Sequence, residues 1–284
     1  MNMKRKVIVG LGEILWDMLP TGKALGGAPA NFAYHAQRLG EDGWAVSAIG
    51  NDPLGAEIMD IVKEKNLHNI IAVTDKPTGT VQVSLDDKGI PGYNIMEDVA
   101  WDNIPFTPDM EALASRADAV CFGSLVQRMG SRDSVLTFLK ATRPEALRVF
   151  DINLRQHYYS PELIDESLTI SDILKINDEE IRVVARLFGI EGDDTAVCRA
   201  LIDRYGLKLV ILTKGAEGSE VITAAETIPQ KVGKVKVVDT VGAGDSFTAA
   251  FVVAYLRGDS LADAQRLANE TAAYVCSCKG AMPE

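Results

Sequence analysis

Asp239-Thr240-Val241-Gly242-Ala243-Gly244-Asp245 is the stretch on which the reading of this chain turns. A β-branched run, Val235 to Val238, precedes it, and Ser246-Phe247-Thr248-Ala249-Ala250-Phe251 follows. Phe247, Phe251, Val252 and Tyr255 recur at helical spacing, so the glycines read as a turn from a strand into a helix. Small residues let backbone N–H groups approach a ligand closely. A helix start adds unpaired N–H donors and the positive end of the dipole, which suits phosphate. The same dipole favours an ionised Asp245 on the first turn, able to take a proton. An anion cradle beside a base is what transfer of phosphate to a hydroxyl needs.

The chain has 284 residues, 47% of them hydrophobic, enough for one large α/β domain or a domain with a small insert. Its net charge is −11 and it has no Lys/Arg block, so it lacks the electrostatic footprint of a nucleic-acid binder. A phosphate ligand stays open, because local N–H groups can outweigh a distant net charge. The cysteines, Cys121, Cys198, Cys276 and Cys278, have no zinc-ligand spacing, and reduced thiols in a cytoplasmic protein are expected. Residues Met1 to Gly10 briefly mimic a signal peptide, but Glu13 and Asp17 interrupt the apolar run and no small-residue cleavage site follows. No apolar stretch is long enough to span a membrane.

β-Branched runs alternate with amphipathic helical patterns along most of the chain. Strands are expected at Val7–Gly10, Trp44–Gly50, Ala119–Gly123, Leu147–Asp151, Asp172–Ile176 and Lys208–Thr213. Helices are expected at Pro29–Leu39, Leu54–Lys65, Arg132–Lys140, Pro161–Thr169, Asp178–Leu187, Thr195–Tyr205, Gly244–Leu256 and Leu261–Cys276. That order predicts an α/β fold, a mostly parallel sheet covered on both faces through right-handed crossovers. From Gly79 to Met96 the period changes to two, with Val81, Val83 and Leu85 alternating against Gln82 and Ser84 and a turn at Asp87-Lys88-Gly89. This is a hairpin, and it must pack on something to be stable. It reads as part of a small β-lid with the segment Glu13–Gly22.

Six further constellations carry chemistry. In Gly26-Gly27-Ala28-Pro29-Ala30-Asn31, Asn31 either caps a helix or hydrogen-bonds a polyol with both its donor and its acceptor. Gly10-x-Gly12 fails as a dinucleotide fingerprint, because position 15 is Leu and no acid follows a second strand as required. Asp17, read by itself, is a solvated loop acid. Asp151-Ile152-Asn153-Leu154-Arg155 ends a strand, the edge where ligands of open α/β sheets gather. Arg155 there is a surface ion pair or positive charge beside a transferring phosphoryl group. Asn177-Asp178-Glu179-Glu180 reads by itself as a capping box. Thr213 to Ser219 lacks the spacing of a Walker A loop and reads as a hairpin turn or a phosphate-side turn. Asn269 lies in the final helix, ahead of Lys279-Gly280-Ala281.

Taken in this order, the motifs resemble the ribokinase-like (PfkB) carbohydrate kinases. Asp239 to Asp245 resembles their C-terminal signature, and Gly26 to Asn31, ahead of Arg38-Leu39-Gly40, is similar to the N-terminal signature as fructokinases spell it. The resemblance implies a single kinase domain, residues 1–284, with a lid formed by about 13–22 and 71–105, often a dimer interface. It implies ATP and Mg²⁺ as cofactors and a sugar as substrate. Asp245 is the implied base, with Gly242, Ala243 and Gly244 facing the phosphoryl group. Asp17, Gly27, Asn31 and Arg155 are implied on the sugar side. Asn177, Thr213, Gly215, Gly218 and Asn269 are implied at the nucleotide. Glu180 would reach Mg²⁺ through water, and loops near Asp239 would hold a monovalent cation, K⁺. The expectation is an ATP-dependent fructokinase acting on the 6-hydroxyl. Ribokinase, 2-keto-3-deoxygluconate kinase, nucleoside kinase and an inactive sugar sensor or scaffold remain as alternatives.

Overall fold

The alternating pattern folds as a parallel sheet with helices on both faces. The structure, a computed structural model, describes residues 4–19, 22–85, 91–233 and 235–284, without the side chains of 83–85 and 91–93. Met1 to Met3, Pro20 and the Asp87-Lys88-Gly89 turn lie outside the described residues.

The first half of the chain runs β1 (Val7–Leu11), β2 (Leu15–Leu19), β3 (Gly22–Gly26), α1 (Ala28–Arg38), β4 (Asp42–Gly50), α2 (Pro53–Glu64), β5 (His68–Thr74), β6 (Thr80–Leu85), β7 (Pro91–Ile95), α3 (Pro108–Ala114), β8 (Ala119–Phe122) and α4 (Ser131–Ala141). The second half runs β9 (Leu147–Asp151), α5 (Pro161–Thr169), β10 (Ile173–Asn177), α6 (Asp178–Phe188), α7 (Asp194–Tyr205), β11 (Leu209–Thr213), β12 (Ser219–Ile222), β13 (Thr227–Gln230), α8 (Ala243–Arg257) and α9 (Leu261–Cys276).

The large sheet has the order β13-β12-β11-β10-β9-β8-β1-β4-β5, antiparallel only at β12 and β13. Alternate residues of each strand serve opposite faces. In β1, Val9 and Leu11 join the core under α3 to α7, whereas Ile8 joins the core under α1, α8 and α9. Burial on both faces explains why these strands read as continuous apolar runs rather than alternating ones. Helix α8 is buried from Ser246 to Ala254 between α1 and α9, so its first turn is rigidly placed.

The expected lid segments divide. β2 and β3 pair with the hairpin β6–β7 in a separate sheet of order β3-β2-β6-β7. Residues 71–74 instead belong to β5, at the edge of the large sheet. The strand expected at Val235–Val238 does not form. Val237 and Val238 are exposed, and the Val238 N–H donates to Cys276 O at 2.8 Å. Exposed β-branched residues with no neighbouring strand have nothing to pair with, so the turn is entered from a loop held on the end of α9.

All parallel strands point their C-terminal ends the same way. Glu13, Asp151, Asn177 and Thr213 therefore meet at one edge, together with the first turns of α1 and α8.

Candidate active site

The start of α8 is built by two close approaches. Gly242 has φ 79°, and a Cβ on it would lie 2.6 Å from the Ala281 Cβ. Only glycine meets both demands at this position. Ala281 is in turn held by His35, whose Nε2 lies 2.8 Å from its carbonyl oxygen. The Ala243 N–H, expected to face phosphate, donates to Thr240 O at 3.3 Å and closes the turn. The N–H groups of Gly242 and Gly244 have no acceptor among the described residues and remain for an anion. A Cβ on Gly244 would sit 3.2 Å from Lys175 Nζ, so the missing side chain brings an ammonium group against the cradle.

Lys175 was not singled out by sequence reasoning. It is buried, and its Nζ is 3.1 Å from Asp151 Oδ1, whose other oxygen accepts from Thr248 Oγ1 at 3.2 Å. Burial alone would lower its pKa, but Asp151, Glu180 and Asp245 overcome that and raise it. The signal was present: one lysine in the apolar strand Ile173-Leu174-Lys175-Ile176 must have a buried counter-charge.

Asp245 meets Asn31 across two helices. Asn31 Nδ2 donates to Asp245 Oδ2 at 2.7 Å, and Asn31 Oδ1 is buried without a partner among the described residues. Removal from water pushes the Asp245 pKa up to about 6; the Asn31 bond, Lys175 and Arg155 pull it down and Asp151 pushes it up. A carboxyl with that pKa is ionised at neutral pH and still basic enough to take a proton.

Two further acids, Asp17 and Glu13, belong to this part of the molecule. Asp17 on β2 reaches back toward Gly26, where a Cβ would come 2.5 Å from its Oδ2. Burial raises its pKa, and Arg155 counteracts part of that. Glu13, directly after β1, is 4% exposed, and burial first of all pushes its pKa up to about 7. Arg155 itself is exposed, yet its charge acts on Glu13, Asp17 and Asp245 alike. It lies within a strained stretch, between Asn153 and Gln156, which have φ 41° and 48°. Gly27 is required sterically, since with φ 117° its Cβ would stand 2.3 Å from the Glu13 carbonyl oxygen. The Gly10-x-Gly12 pair has a similar cause: a Cβ on Gly10 would be 1.9 Å from the Pro29 oxygen at the start of α1.

The expected nucleotide side is more strongly committed to structure. Asn177 and Glu180 form a full capping box on α6. Glu180 Oε2 accepts from the Asn177 N–H at 3.0 Å and Oε1 from the Leu154 N–H at 2.8 Å. Glu180 thus also fixes the segment before Arg155, leaving only its spare lone pairs for a metal-bound water. Thr213 pairs with Ser219 across the β11–β12 hairpin and lies beside Asn177 at the sheet edge. Gly215 is left-handed with open space around it, whereas a Cβ on Gly218 would be 2.0 Å from the Gln230 oxygen. Asn269 donates to Ser219 Oγ and Gln230 Oε1, tying α9 to that hairpin. Asp239 accepts from Val241 N–H through one oxygen and Gly280 N–H through the other, each at 3.0 Å. It clasps together the two loops whose carbonyls were expected to hold a cation. Among the described residues no cluster of three or more acids, histidines or cysteines could hold a metal, and no helix is long and apolar enough to cross a membrane.

Comparison with known proteins agrees with this geometry. The model of the "pfkB family carbohydrate kinase" matches residues 20–284. A fructokinase of Escherichia coli is 29% identical over 99% of this chain and 96% of its own length. One of Rhizobium leguminosarum bv. trifolii is 30% identical over 93% of this chain and 83% of its own. The crystal structure of an uncharacterized sugar kinase from Pyrococcus horikoshii superimposes with TM-score 0.84 at 28% identity, covering 98% of this chain and 94% of that one. The same protein has been crystallised with ATP. With both glycine-rich turns and the hydrogen-bonded pair Asn31 and Asp245 assembled at one sheet edge, the chain belongs to the pfkB family of carbohydrate kinases and is an ATP-dependent sugar kinase.

Proposed function

We propose that this kinase is a fructokinase, transferring the γ-phosphoryl group of ATP to the 6-hydroxyl of fructose. The observation that carries the choice is the lining of the sugar end. Arg155 acts on Glu13, Asp17 and Asp245, Lys175 acts on Asp245 as well, and a group of three carboxyls suits a neutral polyol better than an anionic sugar. The relatives named fructokinase support the same reading. A keto-acid sugar rests on Arg155 alone, and three carboxyl groups oppose its carboxylate.

Asp245 accepts the hydroxyl proton as the sugar oxygen attacks the γ-phosphorus and ADP departs. Charge on the phosphoryl oxygens meets the Gly242 and Gly244 N–H groups, the positive end of α8 and Lys175. Asn31 orients the base through Nδ2 and offers Oδ1 to a sugar hydroxyl, while Asp17 and the Gly27 turn position the ring. Arg155 draws the sugar-side carboxyls toward their ionised forms. Glu180, through the lone pairs it has to spare, would hold Mg²⁺ by way of a water, and the ion would supply charge neutralisation. The lid sheet excludes water that would otherwise hydrolyse ATP. Asparagine and threonine at the hairpin edge (Asn177, Thr213) and the Gly215 turn border the nucleotide.

A coupled ADP-release screen over fructose, ribose, 2-keto-3-deoxygluconate, tagatose and nucleosides tests this. Fructose should give the highest kcat/KM. Preference for another substrate removes the fructose assignment, and activity on none of them favours the sensor.

A further inference from the structure

Glu13 has no part in the scheme above, yet it is nearly as buried as the core. Its Oε2 has no hydrogen-bond partner among the described residues. Buried carboxyl oxygens in folded proteins are nearly always satisfied, so an unpartnered one calls for a use. Glu13 lines a small cavity shared with Asp245 and Asp151. The cavity measures about 10 Å³, roughly the space one water molecule requires. Phe32, Phe122 and Leu125 form its apolar lining.

A proton taken by Asp245 must leave before the next turnover. Asp245 Oδ2 is covered by Asn31 Nδ2, and in the proposed reaction the sugar covers its outer side. Of the other two carboxyls on the cavity, Asp151 is already held by Lys175 and Thr248. Glu13 is the one with an oxygen to spare. We propose that Glu13 is the second carboxyl of a proton relay, receiving through a water in this cavity the proton that Asp245 takes from the sugar.

The inference rests on Asp245 being the base. As the sugar O–P bond forms, the O–H bond breaks and its proton passes to the Asp245 carboxylate. Asp245 gives that proton to the water while the water gives one of its own to the Glu13 carboxylate. Asp245 is then ionised again, and Glu13 loses its proton to solvent when the lid opens. No oxidation or reduction is involved. The direction agrees with the environments, which hold Glu13 at about 7 and Asp245 at about 6. Burial does most of this for Glu13. Its own backbone N–H and Arg155 lower its pKa, while Asp245 from α8 and Asp151 from β9 raise it. Cys121 of β8 also lines the cavity, and burial holds its thiol protonated. Helix α1 contributes only uncharged residues there.

The test is the pH profile of kcat at saturating fructose and MgATP for wild type, Glu13→Gln, Glu13→Asp and Asp245→Asn. Wild type should lose activity below about pH 7, where either carboxyl is protonated. Glu13→Gln should lower kcat at pH 7.5 by roughly 10²-fold, the low end for a lost proton-transfer group. Its acid limb should move down toward about 6, the value of Asp245 alone, with the fructose KM little changed. Glu13→Asp should recover part of the rate and keep a limb above that of Glu13→Gln. An unmoved limb and a normal kcat in Glu13→Gln, beside an inactive Asp245→Asn, overturn the relay and leave the base assignment standing. Near-normal turnover by Asp245→Asn overturns both. A proton inventory of steady-state kcat, which includes the return of Asp245 to its ionised form, in mixed H₂O and D₂O keeps the question open to wild type if the variants fail to fold. The relay predicts a curved dependence, and a linear one refutes it.

Discussion

Replacing Asn31 with alanine should move the titration of the catalytic base upward. Asn31 Nδ2 donates to the Asp245 carboxylate at 2.7 Å from a position that is 2% exposed. A hydrogen bond to a charged group contributes about 1.5–3 kcal/mol, and one pKa unit corresponds to about 1.36 kcal/mol. Removing the donor from the ionised form therefore raises the Asp245 pKa by about 1–2 units, to about 7–8. Water entering the space left by the side chain recovers part of the loss and favours the lower figure. The comparison is cleanest with Glu13→Gln in both proteins, so that Asp245 titrates alone. At pH 6 the ionised fraction of the base then falls from about a half to about a tenth, and kcat falls about fivefold. Near pH 8.5 the two proteins should converge. Sugar must be saturating at every pH, because the same substitution removes Oδ1 from the sugar site and raises KM. An acid limb that stays in place refutes the argument that Asn31 sets the charge of the base.

Lys175→Met keeps the stem length and leaves Asp151 uncompensated; it should destabilise the fold by about 3–5 kcal/mol in denaturant melts and lower kcat by roughly 10²–10³-fold. Normal kcat in the folded variant would remove Lys175 from the phosphoryl site. Asp17→Ala should raise the sugar KM with kcat largely kept, and an unchanged KM would take Asp17 out of the sugar site. Gly242→Ala combines φ 79° with a contact 2.6 Å from Ala281, and should lose about 1–3 kcal/mol of stability and most activity. Melting and turnover both at wild-type values would contradict the steric account of the turn.

Much of the fold is legible locally. The βα order, the hairpin from Gly79 to Met96 and the two glycine-rich helix starts follow from period, caps and turn residues. Val235 to Val238 misleads because β-propensity needs a neighbouring strand, and this segment is offered only the end of α9. β3 is invisible to pattern because its residues, Gly22 to Gly26, carry little β-propensity and gain their conformation from pairing with β2. Of the residues singled out by motif, Asn31 and Asp245 are hydrogen-bonded to each other, and the charge of Arg155 acts on both Asp17 and Asp245. Glu13, Asp151 and Lys175 complete the electrostatics, and motif reading assigns them no role for one reason. Each lies in or beside a recognisable motif, and its role comes from burial beside partners distant in sequence, which spacing does not encode. Conversely, Gly218, Asn269 and Asp239 carry motif-level expectations, yet their observed contacts bind the protein to itself.

The central claim is that Asp245 takes the proton of the sugar hydroxyl, and steady-state turnover of Asp245→Asn with the best sugar from the screen tests it most directly. The account predicts a kcat lowered by roughly 10²–10⁴-fold, with calorimetric sugar affinity close to wild type. A kcat within a few-fold of wild type would contradict it.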